Sequence, residues 1–175
     1  MIALKVIDNG KGRAILMRLF VTGGTIDKVY NEVSENLEFC QTNIQAMLDQ
    51  GRCTYPLIVE ELMLKDSNGF TEKERRMIAK KSAECLEDRI IIVHGTSTAA
   101  ETASALAKEV KDKTIVICGS MIPYCIEHTD ALFNLGSAIT AAQCLPHGIY
   151  ITMNGKIFPA NEVKKNVDKG IFEAL

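Results

Sequence analysis

The apolar run Ile15 to Phe20 passes without a polar spacer into Val21-Thr22-Gly23-Gly24-Thr25-Ile26-Asp27, and this junction constrains the fold more than any other stretch. A buried strand that empties into two glycines makes a tight turn. The backbone there can take positive φ and admit another group closely, with the Thr22 and Thr25 hydroxyls on either side. The pattern recurs along the chain. Thr54 to Leu64 runs into Lys65-Asp66-Ser67-Asn68-Gly69, Arg89 to Val93 into His94-Gly95-Thr96-Ser97-Thr98, and Thr114 to Cys118 into Gly119-Ser120-Met121-Ile122-Pro123.

Helical signals fill the intervals. Thr42 caps a short helix ending at Gly51, and Thr71 with Glu74 forms a capping box for a helix to about Leu86. Thr98 with Glu101 predicts a second box, with Ala103, Leu106, Ala107 and Val110 on one buried face. Leu135, Ala138, Ile139 and Ala142 repeat that spacing after Asp130. Gly148 to Met153 and Lys156 to Phe158 flank Asn154-Gly155, whose preference for a type I′ turn predicts a hairpin.

Strands alternating with helices imply an α/β fold: three layers, a mostly parallel sheet with helices on both faces, ending in a C-terminal hairpin. The carboxyl ends of the strands then share one edge, where Thr22 to Asp27, Asp66 to Gly69 and Gly95 to Thr98 converge on a pocket. Lys28 to Glu38 reads as a polar loop able to cover that pocket, and the tail from Asn161 as charged and without a second core. G-x-G-x-x-G spacing and a Gly-Lys-Ser/Thr ending are both lacking, which argues against a nucleotide-binding loop.

A chain of 175 residues fits one domain, assigned to residues 15–175, with residues 1–14 as a leader extension. The 20 basic and 22 acidic residues nearly cancel, so no electrostatic footprint marks a nucleic acid or anionic membrane as partner; the expected ligand is a small molecule. Six cysteines without a C-x-x-C pair suit reduced core thiols. Charges at the start where a signal peptide's apolar core would be, and no run of spanning length, give a cytoplasmic expectation.

Threonine hydroxyls on a glycine turn suit nucleophilic attack on a carbonyl, given a proton acceptor and an oxyanion site. The histidines, His94, His128 and His147, show no metal-ligand spacing, so no metal is expected. His94 ends a buried strand and reads as a packed, hydrogen-bonded imidazole before a general base.

Thr22-Gly23-Gly24-Thr25-Ile26 and His94-Gly95-Thr96-x-Thr98 resemble the two signature loops of the bacterial-type L-asparaginases, and Asp66-Ser67 their substrate-carboxylate loop. Gly119 to Pro123, Asp130 with Phe133-Asn134-Leu135, and Met153-Asn154-Gly155 fall where that family carries similar segments. The likeness covers about residues 15 to 172, corresponding to the family's amino-terminal domain. It implies an amidohydrolase that converts asparagine, or a similar small amide, to its acid and ammonia through a threonine acyl-enzyme, without a cofactor. Thr25 would be the nucleophile, Thr96 the second catalytic threonine and Tyr30 the loop tyrosine beside the nucleophile. Ser67 would bind the substrate carboxylate, with Gly24, Asp66, Gly95 and Ser97 lining the substrate site. A homo-oligomer is implied as well.

Three departures accompany the resemblance. Ser97 stands where the family has an aspartate that meets the α-amino group. Counting along the helix after Asp130 puts the family's catalytic lysine at about Leu145, where there is none, so Lys28 and Lys65 become candidate substitutes. The family's carboxy-terminal domain has no counterpart in these residues. A domain that has lost catalysis and binds aspartate-like ligands as a sensor is therefore the second reading, and a Rossmann-like nucleotide binder a third that fits the fold but not the loops.

Overall fold

Ile90, Ile91, Ile92 and Val93 are all fully buried, as befits a strand covered on both faces. At roughly 1.5–3 kcal/mol for each such side chain, this run is a major contributor to the core. The computed structural model describes residues 16–175; the leader extension, residues 1–14, lies outside them.

In chain order the elements are β1 (Met17–Gly23), β2 (Lys28–Asn31), β3 (Asn36–Phe39), α1 (Ile44–Gln50), β4 (Leu57–Lys65), α2 (Glu72–Glu84) and β5 (Arg89–Val93). They continue with α3 (Ala99–Glu109), β6 (Thr114–Cys118), α4 (Ala131–Cys144), β7 (Gly148–Met153), β8 (Lys156–Pro159), β9 (Val163–Asn166) and β10 (Ile171–Ala174). Six strands form one sheet in the order β4-β1-β5-β6-β7-β8, parallel except where β8 returns against β7. Alternate residues face opposite layers. Ile90 and Ile92 pack with α2 and α3, whereas Ile91 and Val93 pack with α1 and α4, giving the expected three layers. No helix among the described residues is long and apolar enough to cross a membrane.

Local signals held at several points. The Thr71 hydroxyl accepts from the Glu74 N–H and the Glu74 carboxylate from the Thr71 N–H, a complete capping box. Asn154 and Gly155 take φ of 55° and 74° at the β7–β8 turn, as a type I′ turn requires. The box at Thr98 does not form, because the Thr98 hydroxyl donates instead to the Ser67 carbonyl at 2.9 Å. Thr42 stays at the helix start without taking the cap position of α1, which Asn43 holds: its Oγ1 donates to Asp27 Oδ1 at 3.0 Å and accepts from the Ile44 N–H at 3.3 Å.

Two segments expected as irregular are hairpins. The polar tract after Lys28 forms β2 and β3, its turn built by side chains: Asn31 Oδ1 accepts from the Val33 N–H and Asn31 Nδ2 donates to Glu38. The tail forms β9 and β10 and joins the main core, with Val163 and Phe172 buried among residues of α3 and β7. Of the six cysteines only Cys118 is buried, and all six are free thiols, so the expectation that most lie in the core is corrected.

Phe172 is 1% exposed and is the main anchor of the terminal hairpin. Phe172→Ala is expected to cost about 3–5 kcal/mol in urea unfolding. A loss under about 1 kcal/mol would mean that the hairpin is not docked.

Candidate active site

The strand order reverses at β1, which has β4 on one side and β5 on the other, so the turns leaving β1 and β5 flank a topological switch point. The glycines there make the closest backbone approach that the site depends on. A Cβ on Gly24, whose φ is +91°, would lie 2.5 Å from Gly95 Cα, and one on Gly95 would lie 2.6 Å from Ser67 Oγ. The three loops expected to converge do meet. The Gly24 N–H donates to the Lys65 carbonyl at 3.1 Å, and the Thr98 N–H to Ser67 Oγ at 3.3 Å.

Each expected site residue has a definite place. Thr25 opens a single helical turn, Thr25–Asp27; its half-buried hydroxyl has no hydrogen-bond partner among the described residues. Ser67 is buried under Gly95, whereas Asp66 points outward and pairs with Lys28 Nζ at 2.8 Å. Ser97 is exposed on the turn Thr96–Thr98. Tyr30 lies on β2, 61% exposed, with no hydrogen bond to the Thr25 turn among the described residues.

Thr96 has the partner that sequence counting missed. Lys165 Nζ donates to Thr96 Oγ1 at 2.8 Å, and that oxygen also points at Met121 Sδ, 3.7 Å away. Lys165 has no carboxylate within ion-pair distance among the described residues, and burial pulls its pKa below the ordinary lysine value. A lysine thus does reach Thr96, from β9 rather than from near Leu145. Lys28 and Lys65, the candidate substitutes, are engaged with Asp66 and Glu74. The Lys65 and Thr71 hydrogen bonds hold the Glu74 carboxyl at about 2.

The floor of the cleft is dry. His94 is 1% exposed; its Nδ1–H donates to the Gly95 carbonyl at 2.7 Å, and its Nε2 lies 2.9 Å from the Thr102 hydroxyl. Burial pushes its pKa down to about 4, and the Phe70 ring packs edge-on at 4.8 Å. It is the packed imidazole expected. Asp27, the last residue of the Thr25 turn, is fully buried. Its Oδ1 accepts from Thr42 Oγ1 and the Asn43 N–H, while Oδ2 has no partner and burial raises its pKa.

A polar chain braces the far side. Asp130 accepts from the Met121 and Ile122 N–H groups and from Asn134 Nδ2, which also donates to the Gly119 carbonyl. Asn134 Oδ1 accepts from the Asn154 N–H, and Asn154 Oδ1 from the Phe172 N–H. The β6 loop, α4, the β7–β8 turn and β10 are thereby tied together.

The α/β domain thus gathers hydroxyls and one half-buried lysine at a switch point of its sheet. A family model described as Asparaginase, N-terminal matches residues 17–171, and the chain belongs to the asparaginase family. It is 31% identical to the L-asparaginase of Thermococcus kodakarensis over 156 residues, covering 85% of this chain and 48% of that protein. It is 30% identical to L-asparaginase 1 of Escherichia coli over 156 residues, covering 82% and 45%. Among solved structures, the thermostable L-asparaginase from Thermococcus kodakarensis superposes with a TM-score of 0.81 at 26% identity, covering 91% of this chain and 51% of that one. L-asparaginase I from Vibrio cholerae gives 0.79 at 25%, also covering 91% and 51%. The chain spans about half the length of the curated relatives it matches.

Gly24→Ala forces a Cβ into backbone at positive φ and is expected to cost about 3 kcal/mol or more in thermal or urea melts. A variant within about 0.5 kcal/mol of the parent would show that the loops do not touch. For His94 the unfolded chain binds a proton near pH 6.5 and the folded chain only near 4. Stability is thus whole above about 6.5 and falls by up to about 3 kcal/mol as pH drops towards 4. Imidazole ¹⁵N resonances of His94 should keep the neutral pattern at pH 5.5; a protonated pattern there contradicts the assignment.

Proposed function

We propose that this domain hydrolyses the side-chain amide of L-asparagine, or of a similar small amide, to the acid and ammonia. The observation that carries the reading is the Lys165–Thr96 hydrogen bond at the switch point, next to a turn that presents the unengaged hydroxyl of Thr25. Membership of the asparaginase family and the likeness to L-asparaginases support the reaction class.

Thr25 Oγ1 attacks the amide carbon, the C–N bond breaks and ammonia leaves with the transferred proton, giving an ester on Thr25. Water then cleaves that ester, returning the free hydroxyl and the carboxylic acid. Lys165, acting through Thr96, is the proton acceptor of the cleft. Its half-buried site disfavours the ammonium, which brings the neutral amine within reach at lower pH than for a solvated lysine. Ser67 and backbone N–H groups of the Gly24 and Gly95 turns receive the substrate's carboxylate and the developing oxyanion, with Tyr30 closing over the Thr25 turn from the hairpin. No cofactor enters this scheme. The working form is a homo-oligomer in the cytoplasm, using the exposed Phe133 and Ile157 beside the α4–β8 groove as apolar contact surface.

A second reading, binding without turnover as a sensor, is favoured by one observation. Ser97 is exposed and neutral, so it offers an α-ammonium a hydrogen bond but no charge.

Ammonia release from asparagine is expected to fall about 10⁴-fold in Thr25→Ala and at least about 10²-fold in Lys165→Met. In the parent the rate should rise with pH to a plateau whose midpoint lies below the ordinary lysine value of about 10.4. No release from any amide in a panel including glutamine, together with calorimetric binding of aspartate, would replace the hydrolase with the sensor.

A further inference from the structure

Away from this cleft, a cavity of about 510 Å³ lies between α2, α3 and β9, bordered by Glu72, Arg75, Glu101 and Lys108. None of the four forms an ion pair among the described residues, although most acidic and basic groups of α2 and β4 nearby are paired. Arg75 is the unusual member, because it is only 8% exposed. Its Nη1 donates to the Phe70 carbonyl at 3.0 Å, Nε is buried without any partner, and Nη2 donates to no group among the described residues.

A guanidinium withdrawn from water without a counter-charge is costly, and a carboxylate is the group that its planar fork matches. Lys108 adds a second positive charge to the rim. Glu72 and Glu101 add two negative ones, so the side chains lining the cavity hold charges of both signs without an ion pair among the described residues. A simple anion would satisfy the cations and be repelled by the acids. A ligand carrying one charge of each sign satisfies both.

We propose that this cavity is a binding site for a free α-amino acid, its carboxylate on the Arg75 fork and its ammonium on Glu72 and Glu101. Ala105 and the methylene stems of the charged residues leave an apolar part of the cavity for a side chain. The site is separate from the cleft of Thr25 and Thr96 and does not depend on amide hydrolysis. Arg75 is nonetheless connected to the cleft floor, since it holds the Phe70 carbonyl and the Phe70 ring packs on His94.

The test is ¹H–¹⁵N NMR of the full chain titrated with L-alanine, which has no side-chain amide to hydrolyse, with sodium sulfate as a purely anionic control. The expected result is a saturable shift of the Arg75 Nε–H and of the Ser104 and Lys108 amides with L-alanine but not with sulfate. Ser104→Phe, which fills the cavity while leaving the Arg75–Phe70 bond in place, should abolish it. Glu101→Gln, an exposed change that spares the packing, should weaken L-alanine binding about tenfold. The assignment is overturned by absence of a saturating response, by an equal response to sulfate, or by unchanged L-alanine affinity in Glu101→Gln.

Discussion

No side chain fits where Gly24 meets Gly95, or where Gly95 meets Ser67, and the placing of the catalytic candidates depends on that contact. Because β1 sits between β4 and β5, its exit turn is pressed against the exit turns of both neighbours. Backbone replaces side chain as the packing surface, and peptide groups lie within reach of a ligand as well as of one another. The contact is held by cross-loop hydrogen bonds, from Gly24 to Lys65 and from Thr98 to Ser67, so the hydroxyl groups are carried by turns with little freedom to move. Preorganisation of this kind is what a site needs if its dipoles are to act without reorganising during a reaction.

Lys165 completes the cluster from the other end of the chain. It is on β9, where Val163 points into the core and Lys165, two residues on, shares that side of the strand. The hairpin is fixed by Phe172 in the core and by the Asn134–Asn154 chain, which ends on the Phe172 N–H. Damage to this bracing would therefore be felt at Thr96 although none of the bracing residues touches it. The hydrogen-bond partner of Lys165 is the neutral Thr96 hydroxyl, which does not compensate its charge.

The architecture was legible because strongly periodic segments fold as their patterns say: Arg89–Val93, Thr114–Cys118 and the Asn154-Gly155 hairpin all stand where the sequence places them. Convergence of the three loops also followed, since a parallel sheet admits no other edge for strand ends. The missed features have a common cause. Val163-Lys164-Lys165-Asn166 reads as a solvated tail when each charge is taken alone, and its role depends on a partner sixty-nine positions away. The signal was present in two short strand-like runs around Asp168-Lys169-Gly170, with Val163 and Phe172 as inward anchors. At Thr98 the hydroxyl is oriented by a tertiary acceptor, the Ser67 carbonyl, and no local cap forms, whereas Thr42 both donates to Asp27 and accepts from the Ile44 N–H.

Burial accounts for the electrostatics of the cleft in one stroke. It lowers the pKa of His94, raises that of Asp27 and lowers that of Lys165, so each group is moved towards its uncharged form. For His94 the consequence is structural, because a neutral imidazole can donate to Gly95 while accepting from Thr102; at Asp27 burial works against the Thr42 and Asn43 hydrogen bonds, which favour the carboxylate. For Lys165 the same direction favours the neutral amine, the form in which a lysine can take a proton. A cleft that places a carboxylate beside that lysine would hold it charged. Here Asp66 is engaged by Lys28 and position 97 is serine, and with no carboxylate paired to Lys165 among the described residues, desolvation sets the direction of its shift.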